Sequence, residues 1–222
     1  MPKYKVVEIF ESINGEGKKA GQLALFIRFQ YCNLNCSYCD TKWANSKNSP
    51  FTWMSLEEIL SLAKEKRIKN ITLTGGEPLL QPDVLNLLEA FAKEKQFEME
   101  IETNGSVPLE KFRNLENPPS FTIDYKLPES HMEQYMHLEN FSSVQAHDTI
   151  KFVVSNRKDL EKAKEIIEQY SLIGKCAVYF SPVFGKIALL SIVDFMKEHH
   201  LNGVNMQLQM HKFIWDPEEK GV

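Results

Sequence analysis

The chain has 222 residues, 43% of them apolar and 25% charged, which is the size and composition of one folded domain and not of a disordered or fibrous chain. Its net charge of −4 argues against a strongly basic nucleic-acid surface. The longest apolar runs, around Leu23–Phe29 and Ile187–Met196, fall short of the about 20 residues a membrane span needs. The first residues carry no apolar signal core, so the expected address is cytoplasmic.

In chain order, Lys5–Phe10 and Gln22–Phe29 read as strands. Ser55 and Glu58 form a capping box that starts a helix, with Leu56, Ile59, Leu60, Leu62 and Ala63 as its apolar stripe. Asn70–Thr74 reads as a buried strand stopped by Gly75-Gly76, and Pro82 opens a helix with Val84, Leu85, Leu87, Leu88 and Phe91 on its apolar face. Strands follow at Glu98–Glu102 and Phe121–Asp124. Glu129–His147 is polar and aperiodic and reads as a mobile insertion. Then come a strand at Thr149–Val154, a helix from about Lys158 to Tyr170, a strand at Cys176–Ser181, a helix at Ile187–His199 and a strand at Val204–Gln209. Such alternation implies about six parallel β/α units after the cysteine-bearing segment. The fold class is therefore α/β in a single domain spanning 1–222, as a partial β/α barrel or an open doubly wound sheet. Both put functional loops at the C-terminal ends of the strands.

Those strand ends carry the informative residues. Cys32, Cys36 and Cys39 follow the second strand in C-x3-C-x2-C spacing, and Cys176 stands apart. A cytosolic chain of this size is poorly served by disulfides, so the cluster points to a metal. Structural zinc takes four tetrahedral ligands, and Cys176 is the one cysteine left to complete them. Alternatively, three thiolates hold three irons of a 4Fe–4S cube and leave the fourth iron open. Gly15-Glu16-Gly17 reads as a turn with an exposed carboxylate. Arg28, in an apolar strand, needs an anionic partner. Asp40 and Thr41 offer oxygens to a hard cation.

The cysteine motif with Tyr38, followed by Gly75-Gly76-Glu77-Pro78 after a strand, resembles the radical S-adenosylmethionine superfamily. Adding Gly15-Glu16-Gly17, Arg28, Cys39-Asp40-Thr41, Glu102-Thr103-Asn104-Gly105, Lys126-Leu127-Pro128-Glu129-Ser130 and Gln209-Met210-His211-Lys212, nearly the whole chain resembles the 7-carboxy-7-deazaguanine synthase family. The resemblance implies a partial β/α barrel. It also implies a reaction, the ring contraction of 6-carboxy-5,6,7,8-tetrahydropterin with loss of ammonia, on the route to queuosine and related deazapurines. In that chemistry a 5′-deoxyadenosyl radical takes hydrogen from C6 of the pterin and later returns it. Cys32, Cys36 and Cys39 would ligate the 4Fe–4S cluster and Thr41 would hold Mg2+. Gly76, Glu77, Asp124, Tyr125, Lys126, Ser181, Pro182, Val183 and Phe184 would surround S-adenosylmethionine. Ile13, Asn14, Gly15, Glu16, Arg28, Thr74, His211 and Pro217 would hold the pterin. Implied partners are an electron donor such as flavodoxin and a second copy in a homodimer, with no nucleic acid and no membrane. Rival readings are a glycyl-radical activase, a zinc-binding interaction module and an electron-transfer protein. Asn14 stands where the family often has glutamine, and Asp124-Tyr125 and Tyr179–Gly185 also depart from its pattern.

Overall fold

The computed structural model describes residues 2–217 and 219–222. Its strands are β1 (Lys3–Ile13), β2 (Leu23–Phe29), β3 (Thr52–Ser55), β4 (Asn70–Gly75), β5 (Glu98–Thr103), β6 (Ser120–Tyr125), β7 (Thr149–Val154), β8 (Ala177–Pro182) and β9 (Val204–Met206). The helices are α1 (Lys42–Asn45), α2 (Leu56–Lys66), α3 (Val84–Ala92), α4 (Glu110–Arg113), α5 (Glu139–Ser142), α6 (Arg157–Tyr170), α7 (Leu189–Glu198) and α8 (His211–Ile214). They build one sheet in the order β3-β1-β2-β4-β5-β6-β7-β8-β9. From β2 to β9 every pairing is parallel, whereas β1 runs antiparallel to β2 and to β3. The end strands do not pair, so the sheet is an open, partial barrel.

Side-chain alternation shows why the sheet curls around a site. Parallel strands covered on both faces read as continuous apolar runs. Here apolar residues alternate with polar ones: Ile71 and Leu73 with Thr72 and Thr74, Met99 and Ile101 with Glu100 and Glu102, Ile123 with Thr122 and Asp124, Ile150 and Phe152 with Lys151. The apolar set joins Ile59 of α2, Leu87, Leu88 and Phe91 of α3, Leu160, Ile166 and Ile167 of α6, and Ile192 and Phe195 of α7 in one core. The polar set is left on the inner face. Helices on one face only select the barrel over the doubly wound sheet.

Most local signals hold. Ser55 accepts from the Glu58 backbone N–H while the Glu58 carboxylate accepts from the Ser55 N–H, and α2 begins there. Glu129–His147 is not a loose insertion. Phe141 is fully buried, and Asn140 donates to the carbonyls of Gly105 and Val107 and accepts from Leu109 N–H. The last strand stops at Met206; Gln207 still donates its backbone N–H to the Phe180 carbonyl of β8, while its side chain bonds both backbone groups of Gly17.

Candidate active site

The strand-end loops meet above the polar inner face. Gly75 and Gly76 end β4 against the start of the cysteine loop. Gly75 has φ +136°, and a Cβ on Gly76 would sit 2.0 Å from the Tyr31 carbonyl oxygen. Both glycines are therefore required by the close approach of two backbones. Glu77 follows, fully buried. It accepts from Thr103 Oγ1, from Asn104 N–H at 2.7 Å and from Leu79 N–H at 3.1 Å. Burial pushes its pKa up to about 7 against these bonds. Three donors occupy most of the roughly four acceptor positions of a carboxylate. Glu77 thus ties β4 to β5, and any ammonium contact is left to its remaining position.

The three thiols are free, and each departs from the end of β2 into a loop closed by α1. Leu34 N–H and Asn104 Nδ2 donate to Cys32 Sγ, each at 3.4 Å, and Asn45 Nδ2 donates to Cys39 Sγ at 3.0 Å. Donors aimed at sulfur suit thiolate ligands of a cluster. Burial raises the Cys32 and Cys36 thiols above their usual pKa, and a bound metal offsets that penalty. Among the described residues, no three His, Cys, Asp or Glu side chains converge on the position of a single metal ion. Cys176 is not a fourth ligand. It lies at the N-terminal end of β8, away from the loops, its thiol pushed up to about 11 by burial. Thr41 is the N-cap of α1, yet its side chain makes no capping bond and approaches Cys39 Sγ at 3.6 Å. Its hydroxyl can serve a cation.

Inside the barrel runs a ladder of alternating charge. Glu16 meets Lys151 Nζ at 3.1 Å, Lys151 meets Asp124 at 3.2 Å, and Asp124 meets Lys126 at 2.6 Å. Ser181 and Gln209 also donate to Glu16. Burial opposes the charged forms, but the lysines win, holding Glu16 and Asp124 below the usual carboxylate range. The turn carboxylate expected at the surface is therefore buried: Gly17, at φ +76°, turns the β1–β2 hairpin so that Glu16 points inward. Glu16 and Ser181, from the two expected ligand sets, share one bond of 2.5 Å.

Of the remaining substrate candidates, Thr74 donates to Glu102 at 2.6 Å, and the Asn14 Oδ1 accepts from Thr72 at 3.0 Å. Asn14 Nδ2 is buried with no partner among the described residues. His211 opens α8 and packs on Gly15, whose Cβ would fall 2.7 Å from Nδ1. Burial lowers its pKa, which favours the neutral imidazole. Arg28 finds its partner within the chain: its Nε donates to Glu8 across the β1–β2 ladder at 2.7 Å. The Pro217 carbonyl accepts from Lys212 at 2.6 Å, and Ile13 ends β1 beside Leu23.

Four of the expected cofactor residues do not turn a free polar side chain to the inner face. Tyr125 lies in the core against Phe141 and Phe152, with its hydroxyl on Glu133, because alternation turns it away from the inner face. It can offer only backbone to a ligand. Pro182 is buried and Val183 N–H is spent on the Val154 carbonyl. Phe184 is 52% exposed and stacks edge-on with Phe213. Asp124 pairs with Lys126, and Ser181 joins the same ladder through Glu16. Sequence reasoning missed Lys151 and Glu100, and took Glu102 only as part of the Glu102-Thr103-Asn104-Gly105 strand end. Lys151 in Thr-Ile-Lys-Phe-Val-Val carries the same signal that singled out Arg28.

Comparison with known proteins decides the family. The model of the Radical SAM superfamily matches residues 26–184. The chain is 57% identical over 219 residues to the 7-carboxy-7-deazaguanine synthase of Clostridium acetobutylicum, covering 99% of each. The chain belongs to the 7-carboxy-7-deazaguanine synthase family. A second such synthase, from Chlorobaculum tepidum, is 34% identical over 220 residues, covering 98% of this chain and 96% of that one. The crystal structure of QueE from Escherichia coli matches with a TM-score of 0.66 at 19% identity, covering 94% of this chain and 95% of that one. That likeness confirms the fold. Membership of the Radical SAM superfamily implies a 4Fe–4S cluster and S-adenosylmethionine.

Proposed function

We propose that this chain converts 6-carboxy-5,6,7,8-tetrahydropterin to 7-carboxy-7-deazaguanine and ammonia, as a Mg2+-dependent carbon–nitrogen lyase. The reading rests on one juxtaposition. One end of the Glu16–Lys151–Asp124–Lys126 ladder, Lys126, is near enough to the Cys36 thiol to act on its charge, and the other end, Glu16, acts likewise on His211. When bound, the cluster and S-adenosylmethionine would supply the means to take a hydrogen atom from carbon.

The chain's own residues do the holding. Cys32, Cys36 and Cys39 would ligate the cluster, and Gly76, Asp124, Lys126 and Ser181 would surround S-adenosylmethionine. Asn14 Nδ2 would donate to the pterin's ring acceptors. Arg28 has one edge on Glu8, and the rest of its fork would take the substrate carboxylate. Neutral His211 would add a hydrogen bond there and not a charge. Thr41 would ligate Mg2+, which bridges to the substrate's oxygens as a template. Burial raises Glu100 and Glu102, so each holds a proton more readily than a free glutamate and can serve as an acid on the inner face. The interior is fixed by ion pairs before ligands arrive, which limits the reorganisation left for the reaction.

A flavodoxin-type donor, a homodimer and a cytoplasmic location belong to this proposal. Among the described residues no helix is long and apolar enough to cross a membrane. The test is anaerobic incubation of cluster-reconstituted protein with the carboxylated pterin, S-adenosylmethionine, Mg2+ and a reductant, followed by mass spectrometry. The carboxylated pterin should yield 7-carboxy-7-deazaguanine, and a pterin lacking the carboxylate should not. Thr41→Ala should raise the Mg2+ concentration needed. A glycyl-radical activase would ignore both the pterin and Mg2+.

A further inference from the structure

Asn14 Nδ2 and Glu100 Oε2 are buried, and neither has a partner among the described residues. The two side chains belong to residues only 2% and 5% exposed. Both adjoin Thr72. Its Oγ1 donates to Asn14 Oδ1 at 3.0 Å, and it is the β4 register partner of Glu100 on β5. The other oxygen of Glu100 is spent. Thr122 donates to Oε1 at 2.5 Å, and a Cβ on Gly17 would fall 3.4 Å from it, so the β1–β2 hairpin closes that side. One orphan donor and one orphan acceptor are left around Thr72. Burial raises the Glu100 pKa, with the Thr122 hydrogen bond and the charges of Lys19 and Lys151 against it. Donors brought by a ligand would offset that penalty.

Strand register sets how far these atoms lie from the substrate carboxylate. Arg28 pairs with Thr74, and Phe26 pairs with Thr72, which pairs with Glu100. The Arg28 and Glu100 levels are thus two residues apart along parallel strands, about 7 Å. A fused two-ring ligand held by its carboxylate at Arg28 spans that gap and brings its far edge to Glu100. In a pterin this edge is a carbonyl beside a ring N–H and an exocyclic amine, which offers an acceptor to Asn14 and donors to a carboxylate. The Phe26 ring, stacked on Phe10 at 5.0 Å, gives a flat ligand an apolar neighbour on β2. Resting on the function proposed above, we infer that Glu100 selects the 2-amino-4-oxo edge of the substrate, its Oε2 accepting from the ring N–H and the amine while Asn14 Nδ2 donates to the carbonyl. Recognition then falls to Glu100, and the acid's part to Glu102, which accepts from Thr74 at the Arg28 level.

The test compares two ligands on cluster-reconstituted protein with S-adenosylmethionine and Mg2+ but no reductant, so that binding is read without turnover. One is the carboxylated pterin. The other is its 2-oxo analogue, 6-carboxytetrahydrolumazine, which keeps the carboxylate and lacks the amine. Anaerobic calorimetry gives Kd for each. Wild-type protein should prefer the pterin by about 10–100-fold, the range for a charge-assisted hydrogen bond. Glu100→Gln should weaken pterin binding by a similar factor and bring the ratio of the two Kd values near one, because its amide can donate to the 2-oxo group. Glu100→Asp keeps the charge on a shorter stem and should keep part of the preference. Arg28→Lys is the contrast: it should weaken both ligands and leave the ratio in place. If Glu100→Gln weakens both ligands equally, the carboxylate only shapes the interior and the inference is overturned. Equal binding of the two ligands by wild-type protein overturns it without any variant, and assigns the orphan atoms to a trapped water. A wild-type protein that binds neither ligand fails at the substrate itself, and then the proposed function falls together with the role of Glu100.

Discussion

Replacing Lys151 by methionine tests the buried charge ladder while keeping most of the side-chain volume. Among the described residues Lys151 is the only ammonium within ion-pair distance of Glu16 and one of two on Asp124, and the Lys151 and Glu16 side chains are 10% and 9% exposed. Its removal leaves a buried carboxylate without its cation. Breaking a buried pair in this way costs about 3–5 kcal/mol. In a domain of this size each kcal/mol moves Tm by roughly 2–4 °C, so Tm should fall by about 6–20 °C at neutral pH. Adding Glu16→Gln should recover part of that loss, because the stranded charge is gone. The pH dependence has a definite sign. In the wild type, Glu16 and Asp124 have lowered pKa values, so their contribution is present above the ordinary carboxylate range and is lost as pH falls through their folded values. In Lys151→Met the unpaired carboxylate takes up a proton more readily, and the gap to wild type should narrow below about pH 5. Thermal melts of metal-free protein across pH read this directly. A Tm unchanged by Lys151→Met, or a deficit equal at every pH, would refute the ladder as a paired, buried network.

Other consequences are as direct. Gly76→Ala puts a Cβ 2.0 Å from the Tyr31 carbonyl, so the cysteine loop must shift. Iron bound per chain should fall and stability should drop by at least about 1–3 kcal/mol, measured by iron analysis and melting. Asn45→Leu removes a donor to Cys39 Sγ, so the cluster should become harder to reduce, seen as a more negative midpoint in an EPR titration. Glu77, raised to about 7 by burial, binds its proton more tightly folded than unfolded. Its contribution should weaken as pH rises from about 4.5 to about 7, and Glu77→Gln should flatten that slope in Tm against pH.

Much of this was legible because the signals are local. The Ser55–Glu58 box, the apolar periods of α3 and α6, and the Cys32–Cys39 spacing each work within a few residues. Short β3 was not, since Thr52–Ser55 owes its strand state to pairing with Lys3–Val6 across the chain. The hairpin between β1 and β2 hid the inward turn of Glu16, which only the distant Lys151 and Ser181 make tolerable. Glu98, Glu100 and Glu102 alternate as a solvated strand face would, yet the barrel turns Glu100 and Glu102 inward. The outcome for Tyr125 followed from that same alternation once β6 was placed.

The account is tested most directly by counting products. In one anaerobic incubation with the carboxylated pterin, S-adenosylmethionine, Mg2+ and reductant, 7-carboxy-7-deazaguanine and 5′-deoxyadenosine are quantified together. Deazaguanine in clear excess over deoxyadenosine is the predicted result, since 5′-deoxyadenosine would give its hydrogen back on each cycle and not accumulate. Deoxyadenosine without deazaguanine, from protein with an intact cluster, would contradict it.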